Sequence, residues 1–175
     1  RPAYSDQASA PREMFQNHLL QLAMIMAMES PTRFSSEFGR DEKLKVLRAI
    51  KPLTGADFAR DTIRGQYAGY LEAEGVAPDS QTATFAVLKL HIENWRWQGV
   101  PFYLRSGKAM SCRTSQIVIQ FRPAPIMRLN EGSRTPPAPN KLVTNNHPAE
   151  GLTTHLPTMF PAADSPANHS HPHSR

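Results

Sequence analysis

The sequence has little of what several protein classes require. It holds a single cysteine, Cys112, which excludes an internal disulfide and suits a reducing compartment such as the cytoplasm. The longest apolar run, Leu22 to Met28, is far shorter than the roughly 20 residues of a membrane-spanning helix. The glycine spacings of phosphate-cradling and dinucleotide-binding turns do not occur. We therefore expect a soluble cytoplasmic protein that has no membrane partner and no dinucleotide-binding turn in this sequence.

The positive charges are not gathered into a patch. The formal net charge is +5, but cations alternate with acids, as between Arg40 and Lys45. This mixture is typical of a solvated helix face rather than of a nucleic-acid-binding surface. No basic stretch is interleaved with aromatic residues in the manner of RNA-binding modules. We expect no nucleic-acid partner.

Proline and histidine are concentrated near the C-terminal end. Such a composition, poor in aromatic and branched apolar residues, predicts disorder for residues 127–175. The histidines at positions 169, 171 and 173 are separated by serine and proline in an open chain, so we expect no metal site there. This divides the sequence into an atypical segment at 1–11, one domain at 12–126 that can bury a modest core, and a tail at 127–175.

The helical signals come first along the chain. Arg12 to Glu29 follows Pro11 and is apolar on nearly every face, which predicts a buried helix. Asp41 to Ile50 is amphipathic, and Pro52 ends the run.

The strand signals follow. Leu88, Leu90 and Ile92 alternate with polar residues, which predicts a half-buried strand, and Trp95 and Trp97 continue the alternation into the sheet. Gln116 to Arg122 also alternates and is expected to pair in the same sheet. Helices followed by strands indicate an α+β fold, in which an antiparallel or mixed sheet carries helices packed on one side.

Five long segments, in this order, resemble the glucose-6-phosphate dehydrogenase family. They are Gln16 to Glu29, Arg40 to Pro52, Arg64 to Tyr70, Thr82 to Lys108 and Ser115 to Phe121. The resemblance implies a fragment of the family's C-terminal domain, which binds substrate and forms dimers. The family's N-terminal Rossmann domain has no counterpart in this sequence, so the resemblance implies a truncated form that is inactive by itself.

The same resemblance implies the activity and its partners. The family oxidises glucose 6-phosphate to 6-phosphogluconolactone with NADP, in the pentose phosphate pathway, and its members are homo-oligomers. The alternative is a non-catalytic remnant that binds sugar phosphate, or that pairs with a full-length subunit through an exposed sheet.

Four residues match the family's substrate site. His18 matches the general base, which suits imidazole because its unperturbed pKa lies near neutrality. Glu13 matches an acid that contacts sugar hydroxyls, and Lys108 and Arg113 match the cations that hold the phosphate. Without the resemblance, His18 would be assigned to a core or a helix surface, Glu13 to a helix N-terminus, and the two cations to ordinary surface charge. No residue is expected to bind the cofactor or a metal.

Overall fold

The computed structural model describes residues 14–123 and 138–156. The chain forms two compact units that meet in sequence between Met110 and Ser111. The first contains a π-helical segment (Met14–Leu19), helices α1 (Leu20–Ala27), α2 (Ser36–Ala49) and α3 (Gly55–Asp61), and strands β1 (Thr62–Gly65), β2 (Phe85–His91) and β3 (Pro101–Gly107). The second contains strands β4 (Ser115–Gln120), β5 (Lys141–His147) and β6 (Gly151–His155). The α+β class predicted from the sequence is confirmed.

The sheet of the first unit is antiparallel, with strand order β1-β2-β3. The alternating residues of β2 set its register, since Leu88 lies opposite Leu104 and Leu90 lies opposite Phe102. Beyond the end of β2, an antiparallel bridge between Ile50 and Ile92 ties the end of α2 to this sheet.

The core of the first unit lies where α1 and α2 meet the line of β2. Met24, Ala27, Val46 and Ile92 are all buried and in mutual contact, and Phe102 of β3 packs against them. Both predicted helices therefore cover the sheet through this cluster. Helix α1 is buried on one face only, since Ile25 is 49% exposed, and the expectation of burial on nearly every face was wrong.

The helix bounds differ from the sequence prediction in ways that local hydrogen bonds explain. Helix α2 begins at Ser36 rather than Asp41, because the Ser35 hydroxyl accepts a hydrogen bond from Phe38 N (3.4 Å) and caps the first turn. The sequence prediction missed α3 altogether. Its start is marked by Thr54, whose backbone N–H donates to Asp57 Oδ2 (3.3 Å), as in a helix capping box.

Strand β4 does not join the first sheet, and that prediction was wrong. It pairs with β5, which pairs in turn with β6, so that the second unit has its own antiparallel sheet. Because β5 and β6 lie within 127–175, the prediction of disorder was also wrong for these two segments. The β-branched residues Val143 and Thr144 of β5 lie opposite Val118 and Ile117 of β4, and such cross-strand pairs stabilise a sheet even where its composition is polar.

The two tryptophans do not behave alike. The strand ends at His91, and the Asn94 side chain accepts a hydrogen bond from Trp97 N (2.9 Å) in the turn that follows. Trp97 lies in this turn and packs on the core, whereas Trp95 is fully exposed. The placement of both tryptophans in the sheet was therefore wrong. Across the described residues, no helix has the length and apolar character needed to cross a membrane.

Candidate functional site

His18 lies on the π-helical segment that leads into α1. Such segments are rare and are often found at functional sites. The imidazole is exposed, and it forms no hydrogen bond or ion pair with any other described residue. This exposure contradicts a core histidine, and it fits both a general base and a histidine of the helix surface.

Lys108 follows directly after β3, and the backbone holds it in place. Its N–H donates to Thr84 O (2.8 Å), which continues the ladder beyond β2 and β3. The preceding Gly107 is closely packed, since a Cβ there would lie 2.8 Å from Phe85 Cδ2 and 2.9 Å from Met110 Sδ. The Lys108 side chain is exposed and forms no ion pair within the described part of the chain. Its ammonium group is therefore available to an anion.

The elements that carry His18 and Lys108 are in contact. The π-helical segment packs against β3, and β3 ends one residue before Lys108. An imidazole and an ammonium group are thus carried by neighbouring elements of one unit.

The four predicted site residues do not all belong to one unit. Arg113 belongs to the second unit, where it is exposed, and its neighbour Thr114 donates a hydrogen bond to His147 O (3.2 Å). Glu13 lies outside the described residues. The first unit therefore supplies two of the predicted site residues, His18 and Lys108.

A charged cluster at the end of α3 was not predicted from the sequence. Arg60 forms ion pairs with Asp57 (2.6 Å) and Asp61 (2.7 Å), and Lys89 lies 3.7 Å from Asp61. The hydrogen bond from Arg60 is the main cause of the lowered pKa of Asp61. These carboxylates already have cationic partners, so they are poorly suited to act as bases. The Thr-x-x-Asp spacing at Thr54 was the available signal for the helix that positions them.

A cleft of about 540 Å³ borders this cluster. Its lining includes Arg60, Asp61 and Trp95 and none of the predicted site residues. Within the described residues, no group of three or more His, Cys, Asp or Glu side chains could hold a metal ion.

The described residues do not form a Rossmann dinucleotide site. Both sheets are antiparallel, whereas a Rossmann site requires parallel strands joined through a glycine-rich turn and a helix.

Comparisons with known proteins agree on one family. The model of the glucose-6-phosphate dehydrogenase C-terminal domain matches residues 1–171. The glucose-6-phosphate 1-dehydrogenase of Mycolicibacterium smegmatis is 44% identical over 172 residues, which cover 93% of this chain and 34% of that protein. The Rhizobium meliloti enzyme is 46% identical over 167 residues, covering 89% of this chain and 33% of that enzyme.

Solved structures give the same result. The crystal structure of the Mycobacterium avium enzyme is 36% identical, with a TM-score of 0.82, and the match covers 93% of this chain and 35% of that chain. A glucose-6-phosphate dehydrogenase in complex with its substrate glucose 6-phosphate is 35% identical, with a TM-score of 0.79, over 98% of this chain and 34% of that chain. The chain thus spans about a third of the length of the relatives it matches. It belongs to the glucose-6-phosphate dehydrogenase family, and its residues form part of the family's C-terminal domain.

Proposed function

We propose that this chain forms the sugar-phosphate side of a glucose-6-phosphate dehydrogenase, which oxidises glucose 6-phosphate to 6-phosphogluconolactone in the pentose phosphate pathway. The observation that carries the proposal is the exposed His18, which has no hydrogen-bond or ion-pair partner among the described residues. It lies on a segment packed against β3, the strand that leads to Lys108. The coenzyme would be NADP, bound outside the residues that the structure describes.

His18 acts as the general base. A ring nitrogen would accept the proton of the sugar C1 hydroxyl as hydride leaves C1 for the NADP that we propose. Exposure serves this role, because the ring must reach the substrate within hydrogen-bonding distance.

The remaining residues bind and orient the substrate. Lys108 offers a compact charge to the phosphate dianion. Arg113 of the second unit offers a planar fork of donors that suits a phosphate. The Glu13 carboxylate would accept hydrogen bonds from sugar hydroxyls.

The test is a chimera in which this chain replaces the matching third of the Mycolicibacterium smegmatis enzyme. We expect His18→Asn to spare glucose 6-phosphate binding, measured by calorimetry, and to lower kcat by about a hundredfold to ten-thousandfold, since a general base is lost. We expect Lys108→Ala to raise KM with a smaller effect on kcat, because a phosphate contact acts in ground and transition states alike.

Matched controls are available in the same unit. His91→Asn and Lys51→Ala make the same changes at positions outside the proposed site, and both should leave kcat and KM within about twofold of the parent. A His18→Asn chimera with parental kcat would remove His18 from the mechanism. An unchanged KM in the Lys108→Ala chimera would remove Lys108 from the phosphate site.

A second candidate is a non-catalytic chain that binds sugar phosphate or pairs with a complete subunit. It is supported by β3, which pairs only with β2 among the described strands and so has a free edge. Calorimetric binding without turnover in the chimera would favour it. We also propose a homo-oligomeric assembly and a cytoplasmic location, where the exposed, free Cys112 would remain reduced.

A further inference from the structure

We infer that Trp97 is a positioning residue for His18, because it fixes the helix that continues from the His18 segment against the strand that leads to Lys108. The inference rests on the proposed role of His18 as general base. In this inference, Trp97 contacts neither the sugar nor the phosphate. It sets the distance between His18, which would contact the sugar, and Lys108, which would contact the phosphate.

The first contact is made at the end of α1. Trp97 Nε1 donates a hydrogen bond to Ala27 O (2.9 Å). Ala27 is the last residue of α1. The carbonyls of a last helical turn receive no hydrogen bond from an N–H of the same helix. The indole therefore satisfies a carbonyl that the helix leaves open, and it does so beside the buried cluster of Met24, Ala27, Val46 and Ile92.

The second contact is made with the sheet. The ring of Trp97 meets that of Phe102 edge to face, with centroids 5.1 Å apart and planes at 76°. Phe102 belongs to β3 and lies opposite Leu90 of β2. One side chain therefore joins the end of α1 to the strand that ends beside Lys108.

An exposed ion pair reinforces this connection. Arg96 Nη1 lies 2.7 Å from Glu29 Oε2, two residues beyond α1. The Arg96 guanidinium also lies 5.7 Å from the centre of the Trp97 ring, within the range of a cation–π contact. The Trp97 backbone is itself held by Asn94 Oδ1, so the indole has little freedom to move.

A change at Trp97 would reach His18 through the helix. His18 and Ala27 belong to one continuous helical stretch, the π-helical segment followed by α1. At about 1.5 Å per residue, the distance between them is roughly 13 Å. Misplacing a catalytic group by about 1 Å can cost about a hundredfold in rate. Loosening the Ala27 end should therefore lower the rate of proton removal while the phosphate contacts of Lys108 persist.

The test compares two tryptophan substitutions in the chimera. Trp97→Phe keeps an aromatic ring and removes the indole N–H. Trp95→Phe is the matched control, because Trp95 lies two residues away, is fully exposed and donates to no described residue. At 25 °C, with folding confirmed by circular dichroism, we expect Trp97→Phe to lower kcat about tenfold or more while KM for glucose 6-phosphate stays within about twofold. Trp95→Phe should change neither.

A split between kcat and KM is needed because a purely structural role would lower the melting temperature without selecting one kinetic constant. Equal kcat values for the two phenylalanine variants, or a KM that rises together with the loss of kcat, would overturn the inference. If Trp97→Phe does not fold, variants of the Arg96–Glu29 ion pair provide the test. Arg96→Glu should lower kcat, and the double variant Arg96→Glu, Glu29→Arg should restore it. Failure of the restoration would overturn the inference too.

His18→Asn in the same chimera separates the two proposals. If His18→Asn keeps the parental kcat, the proposed function fails whatever Trp97 does. If His18→Asn is inactive and Trp97→Phe is unaffected, only the positioning role fails.

Discussion

Asp61 is a buried carboxylate whose charge is balanced by neighbouring cations. Its side chain is 2% exposed, and its two oxygens accept hydrogen bonds from Arg60 Nε (3.1 Å) and Nη2 (2.7 Å). The hydrogen bond from Arg60 lowers the pKa of the carboxyl, burial opposes this shift, and the charges of Arg60 and Lys89 add to the lowering. The ionised form is therefore the one that the fold stabilises.

We predict that Asp61→Asn destabilises the first unit in a pH-dependent way. An aspartate with a folded pKa below its unfolded value of about 3.9 contributes stability that is present above the unfolded pKa and is lost as the pH falls through the folded pKa. The urea midpoint of the variant should therefore lie below that of the parent at pH 7. The gap should narrow as the pH falls below about 4.

Asp41→Asn provides the control for this titration. Asp41 is exposed on α2 and forms no ion pair within 4 Å among the described residues, so its midpoint should follow that of the parent throughout. If the difference in urea midpoint between the parent and Asp61→Asn stays constant as the pH falls below about 4, the destabilisation comes from packing rather than from the carboxylate charge.

The tryptophans show how far single residues could be predicted from the sequence. The period-2 pattern that predicts β2 continues through Trp95 and Trp97, and it predicts both in the sheet. The pattern fails because the Asn94 side chain competes for the backbone N–H of Trp97, a local choice that Asn makes readily. For His18, the sequence left a core and a helix surface as open alternatives, and the structure places the residue on the surface.

Among the elements, α3 depends most on a local signal. It has only seven residues, too few to be stable as an isolated helix. Thr54 precedes it, and its N–H and hydroxyl both donate to Asp57 Oδ2, at 3.3 Å and 2.8 Å. These hydrogen bonds stabilise the first turn of a helix that is too short to be stable alone.

We predict that Thr54→Ala destabilises the first unit by about 1 kcal/mol, the usual cost of removing a helix N-cap side chain. Thr54→Ser retains the hydroxyl and should recover most of that loss. The measurement is the free energy of unfolding from urea titration. Equal stabilities for the alanine and serine variants would show that the hydroxyl does not support the helix.

Element type was more predictable than element pairing. The alternation in β2 and the apolar stripe of α2 predicted a strand and a helix correctly, because each pattern depends only on residues close together in the sequence. The pairing partner of β4 does not follow from such a local pattern, since Ile119 could lie opposite a residue of any apolar strand. In the structure, Ile119 lies opposite Leu142 of β5. Strand β5 contains Thr144, Asn145 and Asn146, and this polar composition did not indicate a strand. The structure pairs it with β4 from Lys141 to Asn145 and again at His147.

At the scale of the whole molecule, the division into two units separates the proposed site residues. His18 and Lys108 belong to the first unit and Arg113 to the second. Each unit has its own three-stranded sheet, and the two sheets share no strand. Stability should therefore be measured for each unit rather than assigned to the chain by one midpoint.

We predict that a chain ending at Arg122 loses the second sheet and keeps the first. Strand β4 would lose β5, which supplies its hydrogen-bond partners between Lys141 and His147, so its amides should exchange as fast as those of an unfolded peptide. The amides of β2 should stay protected, because their partners lie in β1 and β3. Hydrogen exchange of the two sheets is the measurement.

A chain ending at Leu156 serves as the matched truncation. It keeps β5 and β6, so β4 should remain protected. Protection of β4 in the shorter chain would mean that β5 is not what stabilises it, and loss of protection in β2 would mean that the first sheet depends on residues beyond Arg122.

Helix α3 ends at Asp61 and β1 begins at Thr62, with no residue between them. A codon inserted or deleted at this junction would rotate the helix by about 100° against the sheet or turn every β1 side chain to the opposite face. Related genes should therefore differ in length elsewhere, for instance in the turns between Gly69 and Asp79. Comparing gap positions among family sequences would reveal this junction as a stretch of constant spacing, even where its amino acids have diverged.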